Sequence, residues 1–202
     1  SQASAALTVV VDTTAPTAPT TLALAAADDT GSSNSDRITS QTSGLTLTGQ
    51  SEANALVELF DGATSLGTVT ADGAGAFSFD TALAEGSHTI TARATDLAGN
   101  TGTASAALTV VVDTTPPAAP TALDLATADD TGTSTTDNLT KQTSALTISG
   151  QAEANAVVEL FDGATSLGTV SANGSGVFTK DLTLTEGSHT ITARAADLAG
   201  IR

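Results

Sequence analysis

The chain has no cysteine, methionine, tryptophan or tyrosine, and its 202 residues include only five phenylalanines. Without cysteine it can form neither a disulfide nor a thiolate metal site. With so few aromatic side chains, most of them expected in the core, it offers little surface on which a sugar ring could stack. No apolar run reaches the roughly 18 residues that span a bilayer. We therefore expect no membrane insertion and no disulfide framework.

Basic residues are also scarce, since 6 lysines and arginines stand against 22 acidic residues and give a formal net charge of −16. Phosphate groups would be repelled by this charge, so nucleic acid is not an expected partner. Cations are favoured instead. A small domain that lacks disulfides needs another stabiliser, and a bound metal is one candidate.

What the sequence does contain is an internal repeat. The string ELFDGATSLGTV begins at Glu58 and again at Glu159, an offset of 101 residues, and EGSHTITARA recurs at the same offset. Residues 12–99 match residues 113–200 at 62 of 88 positions without a gap. A period of this length fits a self-contained domain rather than a solenoid unit.

The repeat predicts the domain boundaries. We assign residues 12–112 to the first repeat and residues 113–202 to the second. Residues 1–11 match the end of the first repeat and are predicted to be the last strand of a preceding repeat. The second repeat is predicted to lack its own last strand, so the chain is interpreted as an excerpt from a longer array.

Each repeat reads as a series of short strands separated by Gly, Pro and Asp-Gly turn signals, with no helical periodicity. The clearest strand alternates from His88 to Ala94, with Ile90 on the inward face. Seven short strands in about 100 residues predict an all-β fold of tandem immunoglobulin-like Greek-key β-sandwiches. The strands predicted in the first repeat are Leu22–Ala26, Leu45–Thr48, Ala55–Phe60, Ser65–Val69, Ala76–Phe79, His88–Ala94 and Ala104–Val112.

Three motifs together resemble a known family. VDTTAP with DDTG and SDRIT, then EANALVELFDG, then EGSHTITARATDLAGN, are similar to the bacterial immunoglobulin-like repeats of giant RTX and biofilm-associated adhesins. The resemblance covers the whole chain. It implies an extracellular location at the bacterial cell surface, many repeats in series and calcium at the junctions. Glycine-rich nonapeptide calcium repeats are absent, so the resemblance is to the extender region.

The acidic residues provide a separate argument for calcium. Strand direction alternates, so Asp12 shares one pole with the loops after the second, fourth and sixth strands, whereas the Asp28-Asp29-Thr30-Gly31 loop lies at the opposite pole. That far loop is expected to meet the entry of the next repeat. Carboxylates about 4 Å apart repel by roughly 4 kcal/mol at an effective dielectric near 20, and calcium accepts six to eight such oxygens. The predicted calcium ligands are Asp12, Asp28, Asp29, Asp36, Glu52, Asn54, Asp96, Asp113, Asp129, Asp130, Asp137, Glu153, Asn155 and Asp197.

Other interpretations of polar residues remain open. The same acids could be solvated turn residues, because Asp and Asn favour turns, and Asp61 and Asp72 are interpreted in that way. The loop spacing does not fit an EF-hand. The histidines, His88 and His189, are predicted to be hydrogen-bonded structural residues rather than zinc ligands or catalytic groups. Lys180 replaces Phe79 at a position of inward parity, and the sequence gives no reason for it.

Three functions compete at this stage. The first is a structural extender, rigidified by calcium and projecting a distant adhesive domain for adhesion or biofilm formation. The second is a binding module for a glycan or another adhesin. The third, an enzyme, is disfavoured because no catalytic constellation is present. The expected partners are neighbouring repeats of the same chain and, through head-to-tail strand complementation, other copies of the chain, because residues 1–11 match the strand that the second repeat is predicted to lack.

Overall fold

A computed structural model describes residues 3–202, which contain fourteen β-strands and no helix. The prediction of an all-β fold is confirmed. Within this range no helix is long and apolar enough to cross a membrane. The chain forms two compact units. The first contains the described residues up to Asp29 together with Gln41–Val112, and the second contains Thr30–Ser40 together with Asp113–Arg202.

The strands up to Val112 agree closely with those predicted, apart from one that the sequence pattern missed. Four of them pair antiparallel in the order β8-β7-β4-β5, and three pair in the order β1-β3-β6. The missed strand, β2, has only two residues, too few for any periodicity to be seen. The bounds are β1 (Thr20–Leu24), β2 (Ile38–Thr39), β3 (Leu45–Gln50), β4 (Leu56–Asp61), β5 (Thr64–Thr70), β6 (Ala76–Thr81), β7 (Gly86–Thr95) and β8 (Leu108–Val112).

The core of the first unit follows from the alternation of its strands. Along β3 the side chains of Leu45 and Leu47 are fully buried, while Thr46 and Thr48, which alternate with them, are partly exposed. Ile90 on β7 and Val110 on β8 are also fully buried and belong to the same cluster. This period of two is what packs one face of each sheet against the other.

The second unit repeats this architecture, but among the described residues β8 has no counterpart there. Its sheets have the orders β13-β10-β9 and β12-β11-β14. Leu160 and Phe178 are at most 1% exposed in its core. The bounds are β9 (Thr121–Leu125), β10 (Leu146–Gln151), β11 (Val157–Asp162), β12 (Thr165–Ser171), β13 (Val177–Leu182) and β14 (Ile191–Ala196).

One strand differs in length between the two units. β7 has ten residues, whereas its counterpart β14 has six and begins only at Ile191. The extra residues of β7 are those that pair with β8, from Gly86 opposite Val112 to Ile90 opposite Leu108. Among the described residues, no strand pairs with the free side of β14. The β conformation of residues 86–90 is therefore induced by a partner strand.

Residues 1–11 were predicted to be the last strand of a preceding repeat. Residues 1 and 2 lie outside the described residues, and residues 3–11 have no regular structure and are exposed. The identical string ASAALTVVV occurs at residues 104–112, where its second half forms β8. Sequence alone is therefore insufficient, because a β-strand requires a neighbouring strand for its backbone hydrogen bonds.

Candidate functional site

An Asp-Asp pair follows the first strand of each repeat, and its two members have different surroundings. The first member holds the loop against the neighbouring strand, because Asp28 Oδ2 accepts the N–H of Thr46 at 2.8 Å. In the second repeat Asp129 Oδ2 accepts the N–H of Thr147 at 2.9 Å. Both are charge-assisted bonds to a strand backbone, and this accounts for an acidic residue at the first position of the pair.

The second member of each pair is buried. Asp29 is 6% exposed and Asp130 is 3% exposed. Asp130 Oδ2 accepts the N–H of Asn138 at 3.1 Å, whereas its Oδ1 atom is buried and has no hydrogen-bond donor among the described residues. A buried carboxylate oxygen without a partner is costly, on the order of 1–3 kcal/mol or more. Turn chemistry does not explain this oxygen.

Asp96 and Asp197 occupy equivalent loops and differ in one hydrogen bond. The N–H of Asn100 donates to Asp96 Oδ1 at 2.8 Å, and the Asn100 side chain donates from Nδ2 to Oδ2 at 2.8 Å. The hydrogen bond from the Asn100 side chain is the largest cause that lowers the pKa of Asp96. In the second unit Ile201 takes the place of Asn100. The backbone N–H of Ile201 still donates to Asp197 Oδ1 at 2.9 Å, but the isoleucine side chain has no donor group. Asp197 Oδ2 is buried and has no partner in the described part of the chain.

Within the second unit, the stretch of residues 30–40 packs against the loop that contains Asp197. The N–H of Ser32 donates to Leu198 O at 3.1 Å. Gly31 has φ 101 and approaches Leu198 so closely that an added Cβ would overlap the carbonyl oxygen. Asp197 is 4% exposed in this arrangement, and the N–H of Asp113 donates to Thr39 O at 2.9 Å.

Four other predicted ligands have the geometry of turn residues. In each of them Oδ1 accepts the backbone N–H two residues further along, which is an Asx-turn bond. The residues and distances are Asp12 at 2.9 Å, Asp36 at 3.1 Å, Asp113 at 3.0 Å and Asp137 at 3.2 Å. Each has one carboxylate oxygen committed to its own loop.

The four remaining predicted ligands lie in a tight turn before the third predicted strand. Glu52 and Glu153 are exposed, and their carbonyls accept the N–H of the residue three positions later. Asn54 and Asn155 have φ of 61° and 63°, a left-handed conformation that asparagine tolerates well. Among residues 3–202, no group of three or more His, Cys, Asp or Glu side chains lies close enough to hold a metal. An ion at any of these loops would therefore need backbone carbonyls and water as well.

Each repeat also contains a histidine held between two acceptors. His88 Nδ1 lies 2.7 Å from Asp61 Oδ2, and Nε2 lies 2.8 Å from Ala84 O. His189 is placed in the same way, 2.6 Å from Asp162 and 2.9 Å from a backbone carbonyl. We call these two arrangements the His–Asp clamps. The prediction of hydrogen-bonded structural histidines is confirmed, but the Asp61 side chain is more than a turn residue, because it also accepts the N–H of Thr89 at 3.0 Å.

The clamps favour the doubly protonated imidazole. Burial of the His88 ring opposes its charge, but the Asp61 hydrogen bond, the Ala84 carbonyl and the Asp61 charge together raise the pKa of His88. The hydrogen bond to Asp162 is the main reason that the pKa of His189 is also raised. The clamps join segments that are distant in sequence, which indicates a structural role.

The position of Lys180 has a simple physical reason. In the first unit the ring of Phe79 covers Gly67, and in the second the side chain of Lys180 covers the equivalent Gly168. Lys180 Nζ reaches the Thr169 carbonyl oxygen at 3.2 Å. The aliphatic stem thus takes the place of the ring while the charge remains at a polar edge, as long basic side chains commonly do.

Comparison with solved structures finds similarity to three chains that are bacterial or adhesion-related by name. The fibronectin(III)-like modules of Clostridium thermocellum CbhA are 17% identical, with 82% of this chain and 83% of that chain covered and a TM-score of 0.44. A tetra-tandem repeat in the extending region of a large adhesion protein is 21% identical, with coverage of 82% and 44% and a TM-score of 0.34. The BSP domain of a biofilm-associated protein is 18% identical, with coverage of 79% and 26% and a TM-score of 0.28. The chain thus spans less than half of the length of the latter two. No curated protein matches it.

The sequence itself matches a family of domains twice. The bacterial Ig-like domain covers residues 14–114 and again residues 116–202. These two segments include nearly the whole chain, and each contains one of the two sets of paired sheets described above. The chain therefore belongs to the bacterial Ig-like domain family and carries two consecutive copies of its domain.

Proposed function

We propose that this chain is an extender segment of a bacterial cell-surface adhesin. In this proposal the repeats are extracellular, calcium binds at their loops and rigidifies the array, and a distant domain performs adhesion to a cell or surface. The partners of the segment are neighbouring repeats of the same chain and other copies of the chain that pair with a free strand edge. No catalytic step is assigned to it.

The calcium proposal rests on two buried carboxylate oxygens, which belong to two separate loops. Asp130 Oδ1 and Asp197 Oδ2 are buried without a donor among the described residues, and each carboxylate has its other oxygen held by a backbone N–H. A fixed carboxylate with one free oxygen is suited to bind a hard cation. Both residues belong to the set that the sequence predicted as calcium ligands.

The overall charge supports the same proposal. With a formal net charge of −16, each bound divalent cation reduces the mutual repulsion of the carboxylates. Asp130 and Asp197 would each supply a carboxylate oxygen, with carbonyl oxygens and water completing the six to eight ligands that calcium takes. Bound calcium would neutralise the buried negative charge of these carboxylates.

Thermal unfolding in calcium and in chelator tests this function. A ligand that binds only the folded state adds about 2.7 kcal/mol at 100 times its dissociation constant, so a shift of several degrees is expected. The variants Asp130→Asn and Asp197→Asn should each reduce this shift, because the neutral amide is a weaker calcium ligand. In chelator they should be at least as stable as the wild type, since a buried unpaired charge has been removed.

The matched control is Asp124→Asn, which removes the same charge from an exposed position on β9. It should leave the calcium shift unchanged. If calcium produces no shift in the wild type, or if all three variants reduce it equally, the carboxylate loops do not hold the ion and the calcium part of the proposal is wrong.

A further inference from the structure

The loop between β12 and β13 contains an asparagine that is followed directly by a glycine. Asn173, Gly174 and Ser175 in this loop are all exposed to solvent. The chain has six asparagines, and Asn173 is the only one that precedes a glycine. Because glycine has no side chain, other groups can approach its backbone closely. The dipeptide therefore places an accessible backbone nitrogen next to a side-chain amide.

The side chain of Asn173 is held by the backbone that follows it. Asn173 Oδ1 accepts the N–H of Ser175 at 2.9 Å and the N–H of Val177 at 3.0 Å. The first is an Asx-turn bond, which folds the side chain back over the peptide that contains the Gly174 nitrogen. Two N–H donors on one carbonyl oxygen also stabilise the negative charge that develops there when a nucleophile attacks the carbonyl carbon. The side-chain amide is thus oriented and polarised for attack.

The first unit shows what the same loop accepts in place of the asparagine. Asp72 is at the equivalent position and is also followed by a glycine. Asp72 Oδ1 accepts the N–H of Ala74 and the N–H of Ala76, both at 2.8 Å. A carboxylate thus makes the same two hydrogen bonds as the amide, and bonds to a charged acceptor are the stronger kind. The loop accommodates the acid that hydrolysis of the Asn173 amide would produce.

We propose that Asn173 is a site of spontaneous deamidation, with water as the co-reactant. The Gly174 nitrogen bonds to Asn173 Cγ and gives up its proton, the Cγ–Nδ2 bond breaks, and ammonia leaves with that proton. Water then opens the resulting cyclic imide, adding its hydroxyl to one carbonyl carbon and returning a proton to the Gly174 nitrogen. Opening at Cγ gives aspartate, whereas opening at the main-chain carbonyl gives isoaspartate. The new carboxylic acid loses its proton to the released ammonia.

Aspartate is the product that fits this loop. It keeps the length of the main chain, so both backbone hydrogen bonds can form again, as they do at Asp72. Isoaspartate would insert an extra carbon into the main chain of a tightly packed loop, in which an added Cβ at Gly176 would overlap the carbonyl oxygen of Ala152. Deamidation to aspartate therefore gives the second repeat the loop of the first and adds one negative charge to an acidic chain.

Peptide mass spectrometry after incubation of the folded chain at mildly alkaline pH tests the proposal. The peptide that contains Asn173 should gain the mass that accompanies conversion of an amide into an acid, while peptides with other asparagines should not change over the same period. Gly174→Ala should slow the reaction severalfold, because the added methyl group hinders the attacking nitrogen. This variant should keep the fold, since a Cβ at Gly174 meets nothing within 4 Å.

Asp72→Asn provides the matched gain of a site. It places an asparagine before Gly73 in a loop with the same hydrogen bonds, so the first unit should then lose an amide at a rate similar to that of the second. Asn173→Asp should be at least as stable as the wild type in urea unfolding, because the loop accommodates the carboxylate.

Three results would overturn the proposal. The first is that Asn173 keeps its amide in the folded chain until the chain unfolded in urea has lost it, because the fold would then protect this residue. The second is that Gly174→Ala loses the amide as fast as the wild type. The third is that Asn173→Asp is clearly less stable than the wild type, since the loop would then reject the acid.

Discussion

The difference between Asn100 and Ile201 provides a quantitative test of the buried carboxylate in the second unit. The substitution Ile201→Asn should restore the side-chain donor that Asp96 has and Asp197 lacks, since both loops keep the same backbone hydrogen bonds. A hydrogen bond to a buried charged group that was unsatisfied is worth about 1–3 kcal/mol. For a unit of this size each 1 kcal/mol corresponds to roughly 4–8 °C in Tm.

Differential scanning calorimetry in chelator measures the gain. The control is Ile201→Val, which alters the same side chain without adding a donor. Ile201→Asn should raise the Tm of the second unit by at least several degrees relative to this control. Equal Tm values for the two variants would refute the view that Asp197 Oδ2 is an unsatisfied buried atom.

Calcium makes the same variant more informative. If the ion binds Asp197 Oδ2, the stability gained from Ile201→Asn should shrink in calcium, because amide and cation compete for one oxygen. A gain of the same size in calcium and in chelator would place any bound calcium away from Asp197. It would leave the hydrogen-bond argument intact.

Three further predictions concern the fold. His88→Gln should flatten the pH dependence of stability. Because the pKa of His88 is raised in the folded state, protonation of His88 stabilises the fold at pH values below the ordinary pKa of 6.5. This contribution is lost as the pH rises through the pKa of the folded state. Urea unfolding at several pH values measures the effect. Gly49→Ala should destabilise by about 1–3 kcal/mol because a Cβ would overlap the Phe77 ring, whereas Gly73→Ala, in open space, should be close to neutral in urea unfolding. Ile90→Ala should cost about 2–5 kcal/mol in the same assay, and Ile191→Ala should cost less because its side chain is only partly buried. Equal costs would contradict the difference in burial between the two side chains.

The fold was predictable from the sequence because the patterns that indicate it lie within short stretches of the chain and occur twice. Alternation from His88 to Ala94 matched the observed inward positions, and the ungapped repeat implied two similar units. The exception is instructive. Residues 3–11 and 104–112 are identical, yet only the latter contain a strand, because strand formation depends on a neighbour that no local pattern reveals.

The candidate site was predictable only in part. Residue type alone drew attention to the Asp-Asp pairs and to Asp197, but it does not show burial. The loop of Asp197, for example, is contacted by Ser32, which is remote in sequence. The partner of His88 was missed for the same reason, since Asp61 lies 27 residues away. One signal was available: the replacement of Asn100 by Ile201 in the repeat alignment already indicated that the two aspartate loops differ.

The most direct test of the calcium-stiffened extender is small-angle X-ray scattering of one sample, first in excess calcium and then in chelator. The measurement is made at several protein concentrations and extrapolated to zero, so that association between chains does not alter the particle size. The account predicts a longer, narrower and less variable particle in calcium, and a broader distribution of distances after chelation. Identical scattering curves in the two conditions would contradict a calcium-stiffened array.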